Sequence, residues 1–170
     1  ISGELIDVDV VDGIAKAKLK EGLNNITAQF NGINYNTSIN STSRFLKYTT
    51  ILNAENIEAT YTLNKNLIIT LTDSKGNALK GLDITVELNG AKKYTTNSNG
   101  QVTINVANMV PKTYSAKITF SGNADYRKSE KSVKVTVKKA KSKITAKKKT
   151  FKKSKKVKKY TATLKNSKGK

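Results

Sequence analysis

The residue types that most often carry acid–base or nucleophilic chemistry are missing from this sequence. The 170-residue chain contains neither His nor Cys, so it has no imidazole base, no thiolate nucleophile and no zinc–thiolate site. Catalysis would have to depend on a pair of carboxylates, and we identify no such pair. We therefore predict that the protein is not an enzyme and needs no cofactor, with a wall hydrolase as a weaker alternative.

One acidic segment, DVDVVDG at 7–13, superficially suggests a calcium loop. An EF-hand needs oxygen ligands at positions 1, 3 and 5 and a Glu at position 12, which this spacing does not provide. Alternation with valines places Asp7 and Asp9 on the outer side of a strand, and Asp12-Gly13 is typical of a turn. The sequence therefore predicts no metal site here.

Lysine dominates the charge of the chain, which is formally +20 from 32 basic and 12 acidic residues. Residues 140–170 hold fourteen Lys and no acid. We favour lysines on solvated strand faces; the alternative is a polyanion-binding module, for anionic wall polymer or nucleic acid, in the Lys-rich segment 138–170. Few aromatics (6%) and two Arg against thirty Lys argue against specific nucleic-acid recognition. The candidate polyanion contacts are Lys147, Lys148, Lys149, Lys152, Lys153, Lys155, Lys156, Lys158 and Lys159.

Two kinds of covalent modification are suggested by the sequence. Three Asn-x-Ser/Thr sequons make Asn25, Asn36 and Asn40 candidate N-glycosylation acceptors, the last two close to a linker that we predict at 40–44. Lys65 is the candidate for an intramolecular isopeptide bond. We do not expect that bond, because the last strand of its unit has no Asn or Asp to react with Lys65.

Three pairs of similar segments indicate an internal repeat. The pairs are LIITLTDSKGN (67–77) with YTATLKNSKGK (160–170), TILNA (50–54) with KITAK (143–147), and AKITFSGNADYRKS (116–129) with ITAQFNGINYNTS (26–38). We infer the C-terminal half of a unit at 1–43, a complete unit at 44–139 and the N-terminal third of a further, truncated unit at 140–170.

Apolar residues alternate with polar ones throughout the complete unit, which predicts an all-β fold. Turn signals such as DSKGN (73–77), NSNG (97–100) and SGNAD (121–125) separate the strands. We predict a seven-stranded β-sandwich. Its inward side chains are Leu67, Ile69, Leu71, Ile84, Val86, Val102, Ile104, Ile118, Phe120, Val133 and Val135.

The complete unit resembles a known family. LIITLTDSKGNALKGLDITVELNG, TTNSNGQVTINV and VPKTYSAKITFSGNADYRKSEKSVKVTV occur in this order. They are similar to the immunoglobulin-like repeats of adhesin-like surface proteins of methanogenic archaea, relatives of bacterial Ig-like and invasin-type modules. Tyr114, which opens a strand after VPK, resembles the tyrosine of an immunoglobulin-like corner, although a plain core tyrosine fits equally well.

The resemblance implies tandem immunoglobulin-like β-sandwich modules in an extracellular, cell-surface structural protein. Each module would act as a stalk or a binding unit without catalysis. The implied partners are neighbouring modules of the same chain and a cell-wall polymer or another cell surface, and not a specific nucleic acid. No apolar run in the sequence is long enough to span a membrane.

Neither end of the sequence coincides with a unit boundary in the repeat alignment. We therefore expect an excised or processed segment of a longer array. The first unit has a net charge of −2 and the last of +14. Opposite charges favour encounter, and unpaired strand edges seek partners. These features lead to the hypothesis that copies associate head to tail.

Overall fold

A computed structural model describes residues 8–31, 33–34, 36–153 and 157–166, which form β-strands joined by turns, with no helix among them. The prediction of an all-β fold is therefore confirmed. The strands are β1 (Val10–Val11), β2 (Ile14–Ala15), β3 (Gly22–Phe30), β4 (Ser38–Leu46), β5 (Thr50–Ala54), β6 (Ile57–Thr60), β7 (Asn66–Asp73), β8 (Asp83–Glu87), β9 (Ala91–Thr95), β10 (Gln101–Asn105), β11 (Thr113–Phe120), β12 (Ser129–Lys138), β13 (Ser142–Ala146) and β14 (Ala162–Asn166).

Strands β5 to β12 build a β-sandwich from two sheets. One sheet has the order β10-β7-β5 and the other the order β6-β12-β11-β8-β9. Both sheets contribute to one apolar cluster, because successive side chains of a strand point to opposite faces. In β5, for example, Thr50, Leu52 and Ala54 are buried while Ile51 and Asn53 are exposed.

The eleven core side chains predicted from the sequence all face this cluster. Ten of them are buried, and Leu67, Ile69 and Leu71 are completely inaccessible to solvent. Ile104 is partly buried and packs against the same cluster. The alternating pattern located these residues correctly because a strand with one buried face repeats its environment every second residue.

The predicted number of seven strands is wrong, since the sandwich has eight. The extra strand arises at the start of the unit, where the chain forms two strands in succession. The first, β5, is antiparallel to β7 in one sheet, and the second, β6, is parallel to β12 in the other. The chain changes sheet at Glu55–Asn56, where Asn56 Oδ1 accepts a hydrogen bond of 2.7 Å from the backbone N–H of Lys134 in β12. The first part of the unit therefore forms one edge of each sheet.

The predicted turns at 73–77, 97–100 and 121–125 are confirmed. Asp73, Asn97 and Asn123 each accept two backbone N–H groups on Oδ1, at 2.8–2.9 Å. Gly100 is required at its turn for two reasons. Its φ is +67°, and a Cβ there would lie 2.5 Å from the carbonyl oxygen of Leu71.

Tyr114 is buried, and its hydroxyl is hydrogen-bonded to the backbone. The side chain is 7% exposed, and its Oη donates to the carbonyl oxygen of Val110 at 2.8 Å. A bond of this type, to the backbone a few residues upstream, is one feature of a tyrosine corner. The Lys112 ammonium lies 4.6 Å from the centre of the ring.

The hairpin β3–β4 has the same register as β11–β12 in the sandwich. It pairs Phe30 with Ser38, as β11–β12 pairs Phe120 with Ser129. Asn24 takes the place of Tyr114 in this correspondence, and its Nδ2 donates to the carbonyl oxygen of Lys20 at 2.8 Å, four residues upstream. The similarity found in the sequence therefore extends to strand pairing.

The hairpin β13–β14 corresponds in the same way to β5–β7. It pairs Ile144 with Leu164, as β5–β7 pairs Leu52 with Leu71. This register matches TILNA to SKITA at 142–146, one residue earlier than the alignment made from the sequence. KITAK and SKITA are overlapping windows of one stretch, so sequence similarity alone does not separate the two alignments. Cross-strand pairing separates them, because a shift of one residue moves every side chain to the other face of the strand.

Candidate functional site

The connection between the first hairpin and the sandwich is residues 47–49, between the end of β4 and the start of β5. The linker predicted at 40–44 is wrong, because those residues lie within β4. Both regions are polar and rich in Ser and Thr, so composition does not separate an exposed strand from a linker. The contacts of residues 47–49 determine how the β3–β4 hairpin is joined to the sandwich.

The backbone of this connection is hydrogen-bonded to the loop between β11 and β12. The N–H of Tyr48 donates to the carbonyl oxygen of Asp125 at 2.8 Å, and the N–H of Arg127 donates to the carbonyl oxygen of Tyr48 at 2.9 Å. Arg127 Nε also donates to the carbonyl oxygen of Lys47 at 3.1 Å. The connection is therefore an added strand-like edge of the sandwich rather than a free linker.

The ring of Tyr48 packs between the two parts. Its centroid lies 5.9 Å from that of Phe45 in an edge-on arrangement and 6.0 Å from that of Tyr126. Its hydroxyl lies directly over Gly22, where a Cβ would come within 2.7 Å of Oη. Gly22 also has a φ of +96°. A glycine is therefore required where the hairpin meets this ring.

The carboxylate of Glu21 ties three segments together. Its Oε1 accepts the backbone N–H of Thr49 at 2.9 Å and also the Thr49 hydroxyl, and its Oε2 accepts the hydroxyl of Ser74 at 3.0 Å. The hydrogen bond from the Thr49 side chain, followed by that from Ser74, lowers the pKa of Glu21, with a smaller contribution from the charge of Arg127. We call Glu21, Gly22, Tyr48, Thr49 and Ser74 the junction.

The junction was not predicted from the sequence. Glu21 is one acidic residue in a polar stretch, and the loop that holds Ser74 lies more than fifty positions away. The one available signal was Phe45 and Tyr48, two aromatic residues close to a predicted unit boundary in a chain with few aromatics. The corresponding stretch between β12 and β13 is Lys139-Ala140-Lys141, which has no aromatic residue.

Residues 147–153 and 157–161 are the described parts of the connection between β13 and β14, and we call these two stretches the lysine loop. The Tyr160 hydroxyl donates to the carbonyl oxygen of Lys147 at 3.0 Å, and Lys149 Nζ lies 3.5 Å from the carbonyl oxygen of Lys159. The hairpin therefore brings the two ends of the loop together. Lys155 and Lys156 lie outside the described residues; the other candidate contacts, Lys147, Lys148, Lys149, Lys152, Lys153, Lys158 and Lys159, are all exposed.

The remaining candidates are dispersed over the surface. Asn25, Asn36 and Asn40 are exposed, and Asn25 Oδ1 accepts the hydroxyl of Ser43 at 2.8 Å across the β3–β4 hairpin. Lys65 is exposed, whereas isopeptide formation needs a buried lysine beside a carboxyl group.

The acidic segment does not form a metal site in the part that the structure describes. Asp7 lies outside the described residues. Asp9 and Asp12 are exposed, and Asp12-Gly13 makes the predicted turn, between β1 and β2. Among the described residues, no group of three or more Asp or Glu is placed to hold a metal ion.

A scan with protein-family models and a search of the curated proteins find no match to this sequence. Over the described part of the chain, no helix has the length and apolar character needed to cross a membrane.

Proposed function

We propose that this chain is a segment of a tandem array of immunoglobulin-like modules that acts, without catalysis, as an adhesive stalk at the cell surface. The observation that carries the proposal is the repeated register of the hairpins. The β3–β4 hairpin matches β11–β12 and the β13–β14 hairpin matches β5–β7. Repetition of one strand-pairing scheme along a chain is typical of arrays whose units each bury a core.

Two features of the sandwich support immunoglobulin-like modules. The first run of the unit is divided between the sheets, and its second part, β6, lies parallel to the last strand, β12. Tyr114 forms the backbone hydrogen bond of a tyrosine corner. The family resemblance found in the sequence implies the same fold, and it also implies the extracellular surface location.

The position of β6 and β12 suits a load-bearing role. β6 lies close to the beginning of the unit and β12 ends it, and the two strands are parallel from Ile57–Val135 to Thr60–Lys138. The pairing continues with the N–H of Tyr61 donating to the carbonyl oxygen of Lys138 at 2.8 Å. Tension between the two ends of the unit pulls these strands along each other, so several hydrogen bonds must break together.

Single-molecule extension of the full chain tests this role. Opening of the sandwich, about 90 residues, should add roughly 300 Å of contour length in one step. Ala59→Pro should lower the unfolding force, because the pattern set by Tyr61 directs the N–H of Ala59 toward β12. Thr60→Pro is the matched control. Successive N–H groups of a strand point to opposite sides, so the N–H of Thr60 points away from β12 on this edge strand.

Equal unfolding forces for the chain and for Ala59→Pro would contradict the load-bearing role, as would opening of the sandwich in several small steps. The surface location needs a separate test. Antibodies against the sandwich should label intact cells of the source organism, and brief protease treatment of those cells should remove the label. Labelling that requires permeabilised cells would contradict the proposed location.

Head-to-tail association of copies stays a prediction. The outer hairpins expose apolar side chains, including Phe30, Ile144 and Leu164. Light scattering at increasing chain concentration and low salt measures whether these surfaces associate. A chain that stays monomeric at high concentration would rule the association out without affecting the stalk proposal.

A further inference from the structure

The lysine loop and the corresponding segment of the sandwich have opposite charges. Between β5 and β7, residues 55–65 carry Glu55, Glu58 and Lys65, a net charge of −1. Between β13 and β14, the lysine loop at 147–153 and 157–161 carries seven Lys and no acid. The two hairpins share their register, so the fold does not require lysines at this place. The positive charge therefore calls for an explanation other than strand formation.

The hairpin gathers this charge into a small region. Lysines 147–149 and 158–159 are separated in sequence, and the contacts of Tyr160 with Lys147 and of Lys149 with Lys159 place them on facing ends of the loop. None of the ion pairs between described residues involves a lysine of this loop. Like charges held close together repel, and a bound polyanion relieves that repulsion.

The residue types restrict the ligand. Residues 128–170 contain no Arg, and the Lys ammonium is a hydrated point charge that does not form the planar bidentate contacts used to read bases. Phe151 and Tyr160 are the loop's aromatic residues. The Phe151 ring is 5.3 Å from Lys149 Nζ, and the Tyr160 hydroxyl is hydrogen-bonded to the backbone. Two aromatic residues are fewer than the series of rings on which single-strand binders stack successive bases.

We propose that the lysine loop is a binding site for a linear anionic polymer with phosphate or carboxylate groups spaced along a flexible chain. Recognition is by charge density and not by sequence. This site goes beyond the stalk function and does not depend on it, because an array could bear load without binding such a polymer. An adhesive stalk that carries the site would also hold an anionic envelope or matrix polymer.

Binding of the full chain to long-chain polyphosphate and to polygalacturonate tests the proposal and separates phosphate from carboxylate ligands. Each neutralised charge contributes about −0.7 to the slope of log K against log salt for a single-stranded polyanion, so about five to seven engaged lysines predict a slope between about −3.5 and −5. Binding measured at several salt concentrations gives this slope for each polymer.

A pair of variants with equal net charge separates the loop from the overall charge. The loop variant combines Lys→Gln at 147, 148, 149, 158 and 159. The control combines Lys→Gln at five exposed lysines of the sandwich, namely Lys65, Lys80, Lys92, Lys128 and Lys131. We expect the loop variant to bind at least tenfold more weakly than the original chain, and the control to change less than threefold. Thermal unfolding of the sandwich verifies that both variants remain folded.

Three results would overturn the proposal. Equal weakening of both variants would assign binding to net charge alone. No binding of either polymer at about 50 mM salt would remove the site, and would leave the lysines as charges that keep a strand edge soluble. Binding to one DNA or RNA sequence at least tenfold tighter than to polyphosphate of equal charge would assign the loop to nucleic acid instead.

Discussion

Phe30 in the β3–β4 hairpin and Phe120 in the β11–β12 hairpin occupy corresponding positions. Truncating each one therefore shows how far the stability contribution of a phenylalanine depends on its tertiary environment. Phe120 is 3% exposed in the core of the sandwich, whereas Phe30 is 53% exposed on β3. Each pairs with the Ser that begins the second strand of its hairpin, next to the connecting loop. Replacement of each phenylalanine by Ala removes the same atoms from equivalent backbone positions.

The expected costs differ because the two rings differ in burial. Phe120→Ala leaves a cavity in a closed core and should lower the free energy of unfolding by about 3–5 kcal/mol. Phe30→Ala removes a ring that is already half in water, so its cost should be at most about 1 kcal/mol. Domains are stable by only about 5–15 kcal/mol, so Phe120→Leu, expected to cost about 1–2 kcal/mol, is the variant to use if Phe120→Ala does not fold.

Urea unfolding of the full chain, followed by the tyrosine signal, measures the difference. With an m-value of about 1–3 kcal/mol/M, Phe120→Ala should lower the midpoint of the main transition by roughly 2 M at unchanged m, and Phe30→Ala should leave that midpoint almost in place. A Phe30→Ala shift as large as that of Phe120→Ala would refute the reasoning, since it would mean that β3 packs into a core of its own.

Three further predictions concern Tyr114 and the junction. Tyr114→Phe should lower the free energy of unfolding by about 0.5–1.5 kcal/mol in a thermal melt, because the hydrogen bond to Val110 is lost while the ring remains. Gly22→Ala should detach the hairpin without changing the sandwich core, and amide hydrogen exchange should rise around Thr49 and not at β11. Glu21, whose ordinary pKa is near 4.5, has a lowered pKa in the folded chain. Its stabilising contribution is therefore full above that ordinary value and is lost as pH falls through the lowered one. The amide resonance of Thr49 should follow this titration, and Glu21→Gln should abolish it.

Much of the fold could be read from the sequence because its signals are local. Alternation placed Leu67, Ile69 and Leu71 in the core, and Asp73 and Gly100 marked turns that the backbone requires. The lack of an imidazole base and of a thiolate nucleophile likewise follows from composition alone, because the chain contains neither His nor Cys. Each of these properties depends on a residue and its immediate neighbours, within the two-residue period of a strand.

Other features needed the tertiary structure because they depend on residues far apart in the chain. The division of the first run at Asn56 is decided by Lys134 in β12. The correspondence of TILNA at 50–54 with SKITA at 142–146, one residue earlier than KITAK, is decided by cross-strand pairing. The junction forms only because folding brings Thr49 and Ser74 to Glu21. Residue type and period determine which side chains are buried, while the sheet that a strand joins and the loops that meet at its end are determined by packing between distant segments.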